Sequence, residues 1–249
     1  MKKLIVNADD FGISIGTNNA ILQCMKEGIV SSTTSMANGE SIEDAIELIK
    51  KEKLKNVGIH LVLTAGKPIL KDQLFLIDKD DFFIFKGYDS IREYAFNETI
   101  LKQVENEFRA QIEFFYSKGV NLTHIDSHHH VHEIKGIREI VIDLAKEFNL
   151  KVRHTNKELK EMFLKENVKT TDFFSQDFYG EGATLENFKR VVSDFDDGSL
   201  EIMCHPSYSD DNLKSSYNMR DAERMILYSR GLRDWLFDQG ISLINYSDI

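Results

Sequence analysis

Residues 4–10 read Leu-Ile-Val-Asn-Ala-Asp-Asp, and this stretch decides the fold prediction. The run at residues 4–6 is apolar throughout, which is typical of a strand buried on both faces in a parallel sheet. It breaks at residues 7–10 into polar and acidic side chains, followed by Phe11 and Gly12. The stretch therefore predicts a buried strand that ends in two adjacent carboxylates, Asp9 and Asp10.

The same alternation of short apolar runs and longer helical patterns continues along the chain. Strands are predicted at residues 4–6, 29–36, 57–63, 121–126, 150–153, 200–204 and 241–244. Helices are predicted at residues 16–26, 41–53, 97–118, 134–148, 185–195 and 220–238. Repeated strand–helix units imply a mostly parallel α/β sheet, and about seven of them favour an irregular (β/α) barrel over an open sheet.

The chain is expected to form a single catalytic domain over residues 1–249. It contains only two prolines, and no Pro- or Ser-rich linker divides it. Residues 70–88 are irregular and aromatic, which suggests a lid insertion at about residues 70–90. These aromatic rings could cap a pocket, form a homodimer contact or pack in a small core of their own. They are Phe75, Phe82, Phe83, Phe85 and Tyr88.

Composition excludes some classes of function. An apolar fraction of 42% and a charged fraction of 29% are ordinary for a globular protein, and a net charge of −10 disfavours a nucleic-acid partner. No apolar run approaches membrane-spanning length, and the run after Lys2 and Lys3 is too short for an export signal. Cys24 and Cys204 form no Cys-x-x-Cys pair, which favours two reduced thiols. We therefore expect a cytoplasmic protein without a nucleic-acid or membrane partner.

Polar side chains recur at or just past the carboxyl ends of four predicted strands. They are Asp9 and Asp10, His60, Asp126 with His128, and His205. Because active sites form at this edge of barrels and open α/β sheets, we expect these side chains to converge. Each has a structural alternative: paired aspartates are common in turns, and a lone histidine in an apolar strand is more often a core residue.

Residues 123–132 read Thr-His-Ile-Asp-Ser-His-His-His-Val-His and contain five of the eight histidines. Neutral imidazole binds divalent metals, whereas buried polar rings cost free energy unless each finds a partner. His124, Asp126 and His128 alternate and could share one strand face, whereas His130 and His132 continue beyond the strand. The segment predicts a metal site, with a solvated polar loop as the alternative.

Other enzyme signatures are missing from the sequence. It has no Gly-x-Gly-x-x-Gly after a strand, no phosphate loop, no Gly-x-Ser-x-Gly elbow and no His-Glu-x-x-His motif. The residues favour a mononuclear metal hydrolase in which one aspartate and two histidines hold the ion. A free carboxylate would take the proton of water, and a histidine would protonate the leaving amine or alcohol.

Taken in order, these motifs resemble the YdjC-like family of carbohydrate deacetylases, which includes the chitooligosaccharide deacetylases. The matching strings are residues 6–12 (Val-Asn-Ala-Asp-Asp-Phe-Gly), 28–34, 58–68, 123–132, 178–180 (Phe-Tyr-Gly) and 201–206 (Glu-Ile-Met-Cys-His-Pro). The resemblance spans nearly the whole chain. It implies an irregular (β/α) barrel related to the polysaccharide deacetylases. It also implies hydrolysis of an N-acetyl group from an amino sugar such as chitobiose or a chitooligosaccharide, phosphorylated or not.

Carried over residue by residue, the resemblance implies Asp10, His60 and His128 as metal ligands. It implies Asp9 as the general base and His205 as the general acid. The remaining polar residues of the histidine segment would support the ligands or contact the sugar. They are His124, Asp126, His130 and His132.

The identity of the metal is expected to be Mg²⁺ by resemblance, with Zn²⁺ as the chemical alternative. Two imidazoles and one carboxylate suit zinc, manganese, cobalt or nickel better than magnesium. Residues 70–88 and the loop around His154 match no string of the family, so the size of the substrate is left open. Two further hypotheses are a metal-dependent sugar-phosphate isomerase and a sugar-binding module without hydrolysis. Release of acetate would distinguish the deacetylase from both.

Overall fold

The computed structural model describes residues 1–71, 73–209, 213 and 215–249. The described residues form eight strands: β1 (Lys2–Phe11), β2 (Ser32–Ser35), β3 (Val57–Leu61), β4 (His124–Ser127), β5 (Lys151–Val152), β6 (Phe173–Ser175), β7 (Gly198–Cys204) and β8 (Ser242–Leu243). The helices are α1 (Ile15–Lys26), α2 (Ile42–Glu52), α3 (Tyr88–Arg92), α4 (Glu98–Ser117), α5 (Ile137–Phe148), α6 (Lys157–Lys165), α7 (Leu185–Asp194), α8 (Arg220–Leu227) and α9 (Arg230–Asp238). Short 3₁₀ turns lie at His128–Glu133, Gly180–Gly182 and Tyr246–Asp248.

The strands form one parallel sheet in the order β5-β4-β3-β2-β1-β7-β6, and β8 pairs with the start of β1. The sheet curls into a half-barrel flanked by helices, and no ladder joins its end strands β5 and β6 within the described ranges. The predicted α/β class with about seven parallel strands is confirmed. The barrel is irregular because the sheet stays open.

Apolar helix faces and side-chain caps explain why the helices form where they do. The stripe of α4 is buried, from Ile100 through Phe108 to Phe115, and packs into the core. The side chains of Asn97 and Thr184 accept backbone N–H groups at the starts of α4 and α7. These contacts fix the helices around the outside of the sheet and leave its strand ends open.

Three sequence predictions of local structure are corrected. The predicted helix at residues 220–238 is two helices, α8 and α9, separated at Tyr228 and Ser229. The sequence predicts no element between residues 153 and 185, whereas the structure has α6 and β6 there. Neither was predicted, because both elements are short. The first strand does not end before its carboxylates but continues through them to Phe11.

The segment expected to be irregular lacks regular helix or strand over its described residues before α3, apart from one bridge between Ile77 and Phe83. Phe83 and Phe85 are buried in the core, whereas Phe75 and Phe82 are half exposed. Asp72, which falls within the predicted lid, lies outside the described residues. Among the helices of the described chain, none is long and apolar enough to cross a membrane.

Candidate active site

A bulge in β1 brings two neighbouring carboxylates into one cavity. In the pairing with β2, Ala8 lies opposite Thr33 and Phe11 opposite Ser35, so two residues of β1 face one of β2. Asp10 has a φ of 69°, in the left-handed region that aspartate tolerates better than most residues. Adjacent side chains of a regular strand point to opposite faces, but this kink allows both aspartates to line the same cavity.

Asp10 lies between two histidines at the spacing of metal ligands. Its Oδ1 is 3.3 Å from Nε2 of His60 and 3.2 Å from Nδ1 of His128. Tetrahedral ligands at zinc-like bond lengths of about 2.0 Å lie about 3.3 Å apart, so the spacing fits one ion. The buried Oδ1 of Asp10 has no hydrogen-bond partner among the described residues. The residues present therefore fit a divalent cation, and they are the three side chains expected to hold it.

Asp126 orients the first of these histidines. Its Oδ1 lies 2.7 Å from Nδ1 of His60, which leaves Nε2 facing Asp10. Its Oδ2 accepts a hydrogen bond from Thr34 Oγ1 and forms an ion pair with Arg153. Burial lowers the pKa of His60, but the neighbouring carboxylates, that of Asp126 most strongly, raise it to about 10. A cation bound here would therefore displace a proton from His60.

Arg153 is a fully buried hub that the sequence analysis missed. Its Nη1 and Nη2 each donate to one oxygen of Asp9 at 2.7 Å, and Nη1 also lies 2.8 Å from Oδ2 of Asp126. Its Nε donates to Glu201 at 2.9 Å. Burial alone would raise the pKa of Asp9, but the Arg153 guanidinium holds it well below its usual range. Asp9 is therefore ionised, with both oxygens fixed.

Tyr246, in the last 3₁₀ turn, supports Arg153 through Glu201. The Tyr246 hydroxyl donates to Glu201, the carboxylate that binds Arg153. The Tyr246 ring stacks on His124 with centroids 3.8 Å apart. His124 Nε2 lies 3.0 Å from Asn7 Oδ1, and the Asn7 amide donates to Asp9. His124 is thus buried behind the cavity, where it positions the group that contacts the base candidate.

His205 lies past the end of β7, on the other side of Asp9. Its Nε2 is 3.9 Å from Oδ2 of Asp9, and its buried Nδ1 has no partner in the described part of the chain. Burial lowers the pKa of His205 to about 4, against the charges of Asp9 and Asp10. The backbone N–H of His205 donates to Glu223, whose pKa burial raises to about 8. His205 is therefore neutral near pH 7.

The other histidines of the run lie on a strained turn. His129 and His130 have φ values of 56° and 54°, both in the left-handed region. The turn is held by a hydrogen bond between His129 Nδ1 and Thr64 and by another between His132 Nδ1 and Ser127 Oγ. His132 is fully buried, and its Nε2 lies 3.2 Å from the Arg153 carbonyl. The turn thus places consecutive histidines in different surroundings, and only His128 lies beside Asp10.

These side chains surround a cavity of about 560 Å³ at the carboxyl ends of the strands. Of the predicted site residues, the cavity is lined by Asp9, Asp10, His60, His128, His130 and His205. The three others lie behind the lining and are fully buried: His124, Asp126 and His132. Arg220 also lines the cavity, and its Nη2 donates to Oδ2 of Asp10 at 2.6 Å. The cavity thus holds two carboxylates, several imidazoles and a guanidinium within one space.

The charged residues that support the site are not among those predicted from the sequence. They are Arg153, Glu201, Arg220 and Glu223, together with Tyr246. A signal was available for Glu201, which lies within the apolar run of residues 200–204. A charged side chain inside such a run indicates a buried ion pair.

A parallel half-barrel with an aspartate–histidine cluster at the carboxyl ends of its strands is the arrangement expected of an α/β enzyme. The profile of the YdjC-like protein family matches residues 3–238, and the chain belongs to this family. It is 41% identical to a carbohydrate deacetylase of Clostridium beijerinckii, over 99% of this chain and 100% of that protein. It is 40% identical to a carbohydrate deacetylase of Brevibacillus brevis, over 99% of each chain.

A solved structure from Enterococcus faecalis, described as a candidate cellobiose-phosphate cleavage protein, has the same fold. The TM-score is 0.87 at 33% identity, and the alignment covers 99% of this chain and 98% of that one. The predicted family is therefore confirmed by sequence and by structure.

Proposed function

We propose that the Asp10–His60–His128 cluster is the metal centre of a hydrolase that removes the acetyl group from N-acetylated amino sugars. The chain is a carbohydrate deacetylase, as are its relatives at 41% and 40% identity. The observation that carries the metal dependence is the unpartnered, buried Oδ1 of Asp10 between two imidazole nitrogens.

The three ligands leave room for the reacting groups on the cavity side. Asp10, His60 and His128 would hold a divalent ion, Zn²⁺ by ligand chemistry or Mg²⁺ by the family resemblance. When bound, the ion would supply Lewis acidity toward the acyl oxygen and toward water. Arg220 neutralises the outer oxygen of Asp10 and so keeps that carboxylate ionised.

Asp9 would accept a proton from water, and His205 would donate a proton to the leaving amine. Asp9 is ionised and fixed by Arg153, so it can accept a proton from water without first losing one. His205 is neutral near pH 7, so it must gain a proton before it can donate one. Its Nε2 lies 3.9 Å from Oδ2 of Asp9, so a proton would pass from Asp9 to His205 through one bridging water and then to the leaving amine.

The aromatic insertion is proposed as a lid on one rim of the cavity, within a single catalytic domain of residues 1–249. Lys86, from the insertion, lines the cavity beside Thr64 and Ala65. Phe83 and Phe85 are buried and tie the segment to the core. The substrate proposed for this space is N,N′-diacetylchitobiose or a short chitooligosaccharide, and comparison with its phosphorylated form would determine whether a phosphate is required.

Acetate release from N,N′-diacetylchitobiose tests the proposal. The metal-loaded protein should release acetate, and His128→Ala should lose both tight metal binding and turnover. Asp9→Asn should retain the metal and lose turnover, whereas a sugar-binding module would be little affected. His154→Gln is a matched control, because His154 is buried but bonds Thr170 outside the cavity. A product with the same mass as the substrate, and therefore with its acetyl group retained, would exclude hydrolysis and favour an isomerase.

A further inference from the structure

One wall of the cavity is aromatic, although most of the residues that line the cavity are polar or charged. Of the described lining residues, only Tyr179 and Tyr217 carry an aromatic ring other than imidazole. Tyr179 is 45% exposed, which is unusual for a ring in a cavity lined by carboxylates and imidazoles. Tyrosine combines a large apolar face with a polar tip, and such rings bind ligands that are apolar on one side.

The residues on either side of Tyr179 determine that its ring is exposed in the cavity. Tyr179 has an extended backbone with φ −147° and ψ 148°, so it and Phe178 point in opposite directions. Phe178 is fully buried and packs edge-on against Phe188. Gly180 follows with a φ of 61°, which turns the chain away at once. The Phe-Tyr-Gly string therefore anchors one ring in the core and leaves the next in the cavity.

Tyr179 is held in place before any ligand arrives. Its ring stacks on Tyr217, with centroids 4.1 Å apart and an interplanar angle of 15°. The Tyr217 hydroxyl accepts the Gly180 N–H at 3.0 Å and donates to Glu223. A binding surface that is already ordered loses little conformational entropy when it takes a ligand.

The ring also lies beside the group proposed to protonate the leaving amine. The His205 ring is 5.4 Å from the Tyr179 ring and 5.8 Å from the Tyr217 ring, edge-on to both. The part of the substrate that carries the leaving nitrogen must therefore lie close to Tyr179. In an amino sugar that part is a pyranose ring, whose faces present C–H groups and whose hydroxyls point outward around its rim. The C–H faces suit the negative face of a phenol ring.

We propose that Tyr179 is the platform on which the pyranose ring bearing the acetamido group stacks, and that it selects cyclic amino sugars by their apolar ring face. The inference rests on the proposed deacetylation and adds a specificity-determining residue to it. The reaction is unchanged by the platform: a C–O bond to water forms, the C–N bond breaks, and acetate and the free amine leave. Tyr179 takes no proton.

Two substitutions separate the ring from its hydroxyl. Tyr179→Leu removes the aromatic face, whereas Tyr179→Phe retains it. Loss of a contact that buries a face of this size should raise KM for N,N′-diacetylchitobiose roughly 10- to 100-fold. We expect kcat to stay within about threefold, and Tyr179→Phe to resemble the wild type. Tyr94→Leu is the matched control, because Tyr94 is 49% exposed, packs on Phe85 and does not line the cavity.

Product inhibition gives a second readout on the metal-loaded enzyme. Tyr179→Leu should weaken competitive inhibition by fully deacetylated chitobiose, which carries the free amine of the product and no acetyl group, by the same factor as it raises KM. It should leave inhibition by acetate unchanged. Calorimetric titration with chitobiose should show the same loss without any turnover. A structural role alone would weaken both products or neither.

The proposal is overturned if Tyr179→Leu binds chitobiose within about threefold of the wild type. It is also overturned if Tyr179→Phe is as impaired as Tyr179→Leu, since the hydroxyl and not the ring face would then be responsible. A fall in kcat with unchanged KM would assign Tyr179 to the positioning of His205 instead. These results assume that the wild type releases acetate; a wild type that releases none contradicts the proposed function, whatever the variants do.

Discussion

Replacing Asp126 with asparagine should weaken metal binding although Asp126 touches no metal. In the wild type, Oδ1 of Asp126 lies 2.7 Å from Nδ1 of His60, and Oδ2 faces the Arg153 guanidinium at 2.8 Å and the Thr34 hydroxyl at 2.9 Å. Asparagine has one oxygen and one NH₂ group in place of the two oxygens. Because Arg153 can only donate, the asparagine oxygen will turn toward Arg153 and its NH₂ toward His60.

This orientation inverts the tautomer of His60. An NH₂ group at Nδ1 requires Nδ1 to accept, which puts the proton on Nε2, the atom that faces Asp10. A protonated Nε2 cannot bind a metal ion. Loss of such a supporting carboxylate lowers metal affinity about 10- to 100-fold, or roughly 1.4–2.7 kcal/mol.

Calorimetric titration of the metal-free protein with Zn²⁺ or Mn²⁺ measures this loss directly. Asp44→Asn is the control, because Asp44 accepts a hydrogen bond from Asn18 away from the site and its replacement should leave affinity unchanged. The orienting role is refuted if Asp126→Asn binds the metal within about threefold of the wild type while His60→Ala does not bind it. If His60→Ala itself binds normally, the assignment of His60 as a ligand is wrong.

Three further predictions concern the support of the site. Tyr246→Phe keeps the ring stacked but removes the hydrogen bond to Glu201, so urea unfolding should show a loss of about 1.5–3 kcal/mol, and an unchanged free energy would contradict that bond. Glu223 has a pKa of about 8 in the folded state against 4.5 ordinarily, so its contribution is complete below pH 4.5 and is lost as the pH rises through 8. The free energy of unfolding should fall by up to about 5 kcal/mol across that window, and the fall should be absent in Glu223→Gln. Gly58→Ala would place a Cβ 2.6 Å from the ring and carbonyl of His124, so thermal unfolding should show a loss of about 1–3 kcal/mol, and full stability would show that β3 and β4 can separate.

Local patterns in the sequence predict much of this fold because parallel strands are buried on both faces. The apolar run before Asp9, and the runs that contain His60 and precede His205, each mark a strand whose carboxyl end enters the cavity. Their convergence follows from topology alone, since parallel strands end at one edge. The bulge that turns Asp10 beside Asp9 does not follow from the pattern, because it depends on the register with β2.

The two supporting arginines could not be predicted, because each is a single residue whose partner is far away in the chain. Arg153 and Asp9 are separated by 144 positions, and Arg220 and Asp10 by 210. A lone arginine in sequence is most often a surface residue, and no periodicity reveals that it is buried.

The histidine run has the opposite problem: it suggests that all its members act alike, whereas the strained turn places only His128 beside Asp10.

Arg153 connects the two halves of the chemistry. Its Nη1 lies within 2.8 Å of both Asp9, the proposed base, and Asp126, which orients the ligand His60. A buried ion pair of this kind gains little stability over apolar packing, since removing the charges from water offsets their attraction. Its contribution is therefore geometric: one planar guanidinium fixes the base relative to a metal ligand. Glu201 accepts from that guanidinium and from the Tyr246 hydroxyl, so Tyr246 supports the proposed base Asp9 through two buried charged groups.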